Sequence, residues 1–202
     1  MKVLAIETSS AHASVAVARE GELLAVRRFD APRGRGAELF AVLQELRPHW
    51  HDADRLALGL GPGSYNGLRV ACAVAGSCQL ALGLDLVTAP SPCLLNVPEE
   101  RYLAIGDARG SRFYVAEVER RTLRGDIALL DEAALAARVA AAPPIPVYRV
   151  GSVPGYDHLP DAAPDAAVLA RLAPELSPTD PRKLEPLYLK PPHITTPRAA
   201  RT

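Results

Sequence analysis

The chain carries no excess charge of either sign: 23 Lys and Arg balance 23 Asp and Glu across 202 residues. A balanced chain has no net field with which to hold a polyanion, so autonomous binding to nucleic acid is not expected. Cysteine is scarce. Cys72, Cys78 and Cys93 are odd in number and stand in unrelated contexts, which suits buried thiols in a reducing cytosol and leaves no disulfide framework. The N-terminal MKVLAIETSS holds one lysine and a strand-like run, without the h-region of a signal peptide. The longest apolar stretch, Val70 to Leu84, is shorter than a membrane span and is interrupted by Ser77 and Gln79. These absences lead to the expectation of a soluble cytoplasmic protein without membrane contact.

What is present is a globular composition, 49% apolar, long enough for one large domain or two small ones. Lys2 to Thr8 reads as a strand buried on both faces. Ser14–Arg19 and Leu23–Phe29 are the next strands, joined by a turn at Glu20-Gly21-Glu22. After Pro32, Leu39, Phe40, Val42, Leu43 and Leu46 follow helical spacing, so a helix is expected over Arg33–Leu46. Arg55–Leu60 is a buried strand, Gly67–Leu82 a second helix and Asp85–Thr88 a short strand.

The pattern then restarts. LAIETSSAHASVAVA at Leu4 is echoed by LAIGDARGSRFYVAEV at Leu103. Gly125–Leu130 is the expected third strand of this half. Asp131 is the N-cap of an alanine-rich helix, Glu132–Ala142. A strand at Ile145–Val150 and a weak helix at Ala163–Leu172 complete it. Two β-β-β-α-β-type halves mean an internal duplication, with the second half shorter and richer in proline. The expected boundaries are a first lobe at 1–98, a reduced second lobe at 99–191 and a flexible tail at 192–202. Duplicated halves that each open on an acidic hairpin turn resemble the actin-like ATPase (ribonuclease H-like) α/β architecture, two lobes built as β-β-β-α-β-α. In that architecture the two turns face each other and grip the phosphates of ATP.

The residues restrict the chemistry. Of the five histidines only His49 and His51 are close, and their i, i+2 spacing diverges on a helix. Ser64 in GPGSYNG lacks the spacing of the Gly-x-Ser-x-Gly nucleophile elbow. The same glycine-rich stretch lacks the Gly-Lys-Ser/Thr ending of a Walker phosphate loop, having Gly67-Leu68-Arg69 instead. Gly61, Pro62, Gly63, Ser64 and Gly67 therefore read as a structural loop, a fixed launch point for a closely packed helix. Arg69 sits in the first helical turn, against the helix dipole, and calls for a specific partner. The weak nucleotide candidates are Glu7, Thr8 and Ser9 in the first turn and Asp107 in the second. Arg109 and Arg112 crowd the second turn, so no cofactor is expected for the isolated chain.

Four segments in order, LAIETSSAHASVAV, GPGSYNGLRV, DARGSRFYVAEV and EPLYLKPP, resemble the TsaB (YeaZ) family over nearly the whole chain. Asn66 and Arg35-Gly36-Ala37 depart from the family pattern. The resemblance implies a non-catalytic scaffold or activator subunit in the making of threonylcarbamoyladenosine on tRNA. The implied partners are a TsaD-like catalytic subunit and a TsaE-like ATPase, with tRNA met only within the assembly. The catalytic relatives carry a His-x-x-x-His metal pair; Ser91 and Leu95 stand at those positions here, so no metal is expected. The alternative reading is an active metallopeptidase or small-molecule kinase of the same superfamily. With the resemblance in hand, the two first-lobe helices are the expected docking surface, for the catalytic relative or for a second copy. The residues assigned to it are Leu39, Phe40, Leu43, Arg69, Val70, Ala73, Val74, Gly76 and Ser77.

Overall fold

Successive side chains of a strand point to opposite faces, and in the first sheet both faces are apolar. The computed structural model describes residues 1–30 and 36–190. Strands β1 (Lys2–Glu7), β2 (His12–Arg19) and β3 (Glu22–Asp30) form an antiparallel meander. Helix α1 (Ala37–Trp50) leads to β4 (Arg55–Gly59), and helix α2 (Tyr65–Leu82) to β5 (Asp85–Ala89). The sheet order is β3-β2-β1-β4-β5, with β4 and β5 parallel to β1. One face, with Leu4, Ile6, Val15, Val17, Leu56 and Leu58, packs against α1 and α2.

The opposite face is lined by small residues, among them Ala5, Ala16, Ala18 and Ala57. It is covered by helix α4 (Ala166–Leu172), which comes from the other half of the chain and presents Ala166, Ala167 and Ala170. Alanine against alanine lets the helix lie close to the sheet. Polar groups fix its start. Ser14 Oγ accepts from the Ala166 N–H at 2.8 Å, and Asp165 Oδ1 from the Ala167 N–H at 2.8 Å. Arg28 on β3 donates twice to Asp165 Oδ2, at 2.9 and 2.6 Å.

The second sheet repeats the first in reduced form. Strands β6 (Arg101–Asp107) and β7 (Phe113–Glu119) are antiparallel, and β10 (Val147–Val150) is parallel to β6. Of the expected third strand, Gly125–Leu130, only Ala128–Leu130 forms as β9; a short β8 (Thr122–Leu123) precedes it, and both pair with β7. Helix α3 (Glu132–Ala140) starts at Asp131, whose side chain accepts from the Ala134 N–H. It covers one face through Leu135, which packs with Leu103, Ile105 and Val115. The other face is covered by the connection between the lobes, through Cys93, Leu95 and Val97. The order β9-β7-β6-β10 matches β3-β2-β1-β4, so the duplication read from the sequence is the duplicated actin-like α/β fold with a smaller second half.

Residues 165–190, assigned from sequence to the second lobe, return to the first. Beyond α4, the Thr179 N–H donates to the Leu86 carbonyl at 2.7 Å and the Leu187 N–H to the Leu60 carbonyl at 2.8 Å. Leu184 packs on the first core. Further on, Lys190 Nζ donates to the carbonyls of Ala108 and Arg109 in the second lobe at 3.2 and 2.7 Å. Helix α1 runs past its expected end, through Pro48 to Trp50. Pro48 has no N–H to give to the carbonyl four residues before it; the helix nonetheless runs on to Trp50, whose indole donates to the Leu43 carbonyl at 2.8 Å. The segment Arg33–Arg35 and the 192–202 tail lie outside the described residues.

Burial also corrects part of the docking assignment. Leu39, Leu43 and Val74 are buried in the chain's own first core. They face the sheet because α1 and α2 must cover it, so they are closed to a partner.

The cap of α4 predicts a graded effect. Asp165→Ala removes the oxygens that hold the Ala167 N–H and Arg28 and is expected to cost about 1–2 kcal/mol. Asp165→Asn keeps a capping oxygen and is expected to cost less. Chemical denaturation of both variants checks the order.

Candidate functional site

The first hairpin turn, which the resemblance makes a candidate phosphate cradle, is closed by the chain itself. The loop between β4 and α2 lies against it. The Ser64 N–H donates to the Ser9 carbonyl at 2.6 Å. A Cβ on Gly63 would stand 2.0 Å from that carbonyl oxygen, and one on Gly67 would stand 2.6 Å from the Thr8 carbonyl oxygen. Both glycines are thus needed for backbone to meet backbone. Thr8 and Ser9 are buried beneath the loop, and their hydroxyl oxygens have no hydrogen-bond partner among the described residues. Ser64 is the N-cap of α2, its side chain accepting from the Gly67 N–H at 3.3 Å.

Glu7 lies under the same turn, fully buried. One carboxylate oxygen accepts from the Ser9 N–H at 2.6 Å, the other from the Ser91 hydroxyl at 2.7 Å. Ser91 in turn accepts from the Gly61 N–H at 2.9 Å. A Cβ on Gly59 would fall 1.8 Å from Glu7 Oε2, so this contact also requires glycine. Burial raises the Glu7 pKa above the ordinary 4.5, opposed by hydrogen bonds from Ser9, Ser91 and Thr8. Ser91 and Leu95, which the resemblance sets where a metal-binding pair would stand, serve internal structure. Ser91 holds Glu7, and Leu95 is fully buried in the second lobe's core.

The second turn is open. Asp107 Oδ1 accepts from the Arg109 N–H at 2.7 Å, and Arg109, Gly110 and Ser111 have φ of 62°, 61° and 54°. Arg112 folds back onto the Leu129 carbonyl at 3.2 Å, while Arg109 is exposed. A cleft of about 480 Å³ opens beside the turn, lined by Asp107, Arg109, Ser111, Phe113, Glu132 and Ser152. Its two carboxylates disfavour a polyphosphate. Glu7 and Asp107 both serve their own turns, and the two turns do not form a matched pair of phosphate cradles.

The remaining assigned residues lie on the outer side of the first lobe. On α2, Arg69, Ala73 and Ser77 are exposed, as is Leu80 at 85%. Gly76 opens onto free space. Phe40 on α1 is 57% exposed. Val70 is half-buried, its Cγ1 only 3.1 Å from where a Cβ on Gly36 would be. Arg69 does have its own partner: it donates to Tyr65 Oη at 2.7 Å and lies 5.2 Å from that ring's centre. Tyr188 packs on the same ring at 5.4 Å, clasping the C-terminal segment to the head of α2. Tyr65 and Tyr188 were missed from sequence; the i, i+4 spacing of Tyr65 and Arg69 was the available signal. Burial pushes the Cys72 thiol up to about 11 and Cys93 up to about 12, so neither supplies a thiolate nucleophile at neutral pH.

The glycines separate two roles. Gly63→Ala meets the Ser9 carbonyl and is expected to destabilise by several kcal/mol, or to unseat the loop. Gly76→Ala meets nothing and is expected to stabilise the chain by about 1 kcal/mol. Thermal unfolding of the two variants distinguishes them. Glu7 predicts a pH dependence. With its pKa raised, the folded chain binds more protons than the unfolded chain above pH 4.5, so this group's contribution to stability falls as pH rises through that window. The stability of Glu7→Gln relative to the natural chain is therefore expected to increase with pH there, as read by denaturation at several pH values.

Residues 38–149 match the family model of TsaD, tRNA N6-adenosine threonylcarbamoyltransferase. The tRNA threonylcarbamoyladenosine biosynthesis protein TsaB of Haemophilus influenzae is 30% identical over 138 residues, 62% of this chain and 57% of that protein. TsaB of Escherichia coli is 31% identical over 133 residues, 59% of this chain and 56% of that one. The matched region thus spans little more than half the length of these relatives. Two Pseudomonas aeruginosa structures share the fold. YeaZ has a TM-score of 0.73, 24% identity and coverage of 93% of this chain and 99% of its own. A protein described as similar to peptidase YeaZ has a TM-score of 0.76, also 24% identity, with coverage of 94% and 99%. The chain belongs to the family that the TsaD, tRNA N6-adenosine threonylcarbamoyltransferase, model describes, and the TsaB proteins are among those it is similar to.

Proposed function

We infer that this chain is a non-catalytic subunit of the machinery that makes threonylcarbamoyladenosine on tRNA, and that it docks on a TsaD-like catalytic transferase. The observation that carries the reading is the first hairpin turn, filled by the chain's own Gly61–Gly67 loop where a catalytic relative would hold phosphate. The names of the TsaB relatives supply the pathway. The docking surface is the outer side of α2 with Phe40 of α1: Arg69, Ala73, Gly76, Ser77 and the margin of Val70. Small side chains there let a partner helix approach closely. A second copy of the chain uses the same face when the catalytic subunit is absent. The TsaE-like ATPase and tRNA join only in the assembly, in the cytoplasm. Among the described residues no helix is long and apolar enough to cross a membrane. The metallopeptidase and kinase alternatives gain no support from Ser91, Leu95 or the closed turn.

A transfer assay tests the class: no product from the chain alone, and a large gain when it is added to the TsaD-like subunit. Product from the chain alone would overturn the reading. The surface has its own test. A charge buried unpaired in an interface costs about 3–5 kcal/mol, so Ala73→Glu and Ser77→Glu are expected to weaken association by at least about 100-fold. Both positions are exposed, so both variants should stay folded. Val74→Glu is expected to unfold the chain, because Val74 is core. Light scattering and thermal unfolding read the two effects separately.

A further inference from the structure

We propose that Glu7 is the positioning residue of helix α2: its carboxylate, acting through the Ser91 hydroxyl, fixes Gly61 and with it the loop from which the helix starts. The consequence for docking rests on the reading above; the latch itself rests on geometry.

A buried carboxylate is costly unless its environment needs it. The partners of Glu7 are an amide and a hydroxyl rather than a cation. An isosteric neutral side chain would fill the same space. What it would not do is accept on both oxygens at once. The Ser9 N–H and the Ser91 O–H both point at the carboxylate, from two different segments of the chain. With its proton committed to Glu7, Ser91 Oγ presents a lone pair to the Gly61 N–H at 2.9 Å. The Ser91 N–H donates back to the Gly61 carbonyl at 2.9 Å. Gly61 is therefore held on both its donor and its acceptor.

The chain of contacts continues to the helix. A side chain at Gly59 would block the carboxylate from Ser91. Past Gly61 the loop closes on the turn that Glu7 also holds, through Ser64 N–H to the Ser9 carbonyl. Ser64 then caps α2. One carboxylate thus ties the β1–β2 turn, the segment entering the second lobe and the head of α2 into a single unit. Burial, and to a smaller extent the nearby Glu7 carboxylate, raises the phenol pKa of Tyr114 on β7.

The test compares local with global order in the full chain. In Glu7→Gln, one amide N–H must oppose either the Ser9 N–H or the donors around Ser91. Hydrogen exchange at residues 61–67 is expected to speed at least tenfold, with β1 and β4 amides protected as in the natural chain. Ser91→Ala should give the same pattern, and it keeps the test open if the Gln variant does not fold. The double variant should be no worse than the stronger single one, as groups in one relay are not additive. Affinity for the TsaD-like subunit is expected to fall about tenfold in each. Unchanged loop exchange in both single variants, or equal loss of protection in loop and strands, would overturn the latch. If the loop loosens as expected but the natural chain does not bind the TsaD-like subunit, the latch stands and the docking reading falls.

Discussion

The structure depends on one close approach, backbone on backbone, between the Gly61–Gly67 loop and the first hairpin turn. Nothing larger than hydrogen fits on Gly63 or Gly67 at that contact. The approach buries Thr8 and Ser9, sets the first turn of α2 and brings the loop within reach of Ser91. It also carries a cost, since two hydroxyl oxygens are left without partners beneath the loop. Each such atom forfeits about 1–3 kcal/mol. That cost is offset by a fixed helix start, whose outer side the proposed function uses. The first hairpin turn is thus held shut by the chain's own loop.

The two halves solve the same covering problem with unequal means. The first sheet has helices on both faces. The second has one short helix on one face, and on the other the connecting segment with Cys93, Leu95 and Val97. A sheet left bare on one side would expose a contiguous apolar patch. The small half avoids this by burying the linker, and the large half by borrowing α4. Each half thus completes the other's core, which ties the lobes more firmly than a surface contact between finished domains.

Much of the fold was legible because it is local. The apolar run Lys2–Thr8 predicts a strand buried on both faces, and β1 is one. Asp131 and Ser64 were readable as caps from residue type and position. The repeated Leu-Ala-Ile strands with their acidic turns located the duplication. The rest depends on contacts distant in sequence. Ser91 meets Glu7 only because the fold places it there. The destination of α4 was hidden, since a short alanine-rich helix fits either sheet. Which residues of α1 and α2 face outward was half legible for a related reason. Helices α1 and α2 are apolar on more than one side, and periodicity does not say which side the sheet takes. Leu39, Leu43 and Val74 went inward, while Phe40, Ala73 and Ser77 stayed outside.

The return of α4 to the first sheet has a consequence for synthesis. The strands it covers are made early, and Asp165, Arg28's partner, is made late. At roughly 5–20 residues per second, several seconds separate β5 from α4. During that interval on the ribosome the alanine-lined face of the first sheet has no cover. A nascent chain with an open apolar face is a natural client for chaperones, and it stays one until the last quarter of the chain emerges.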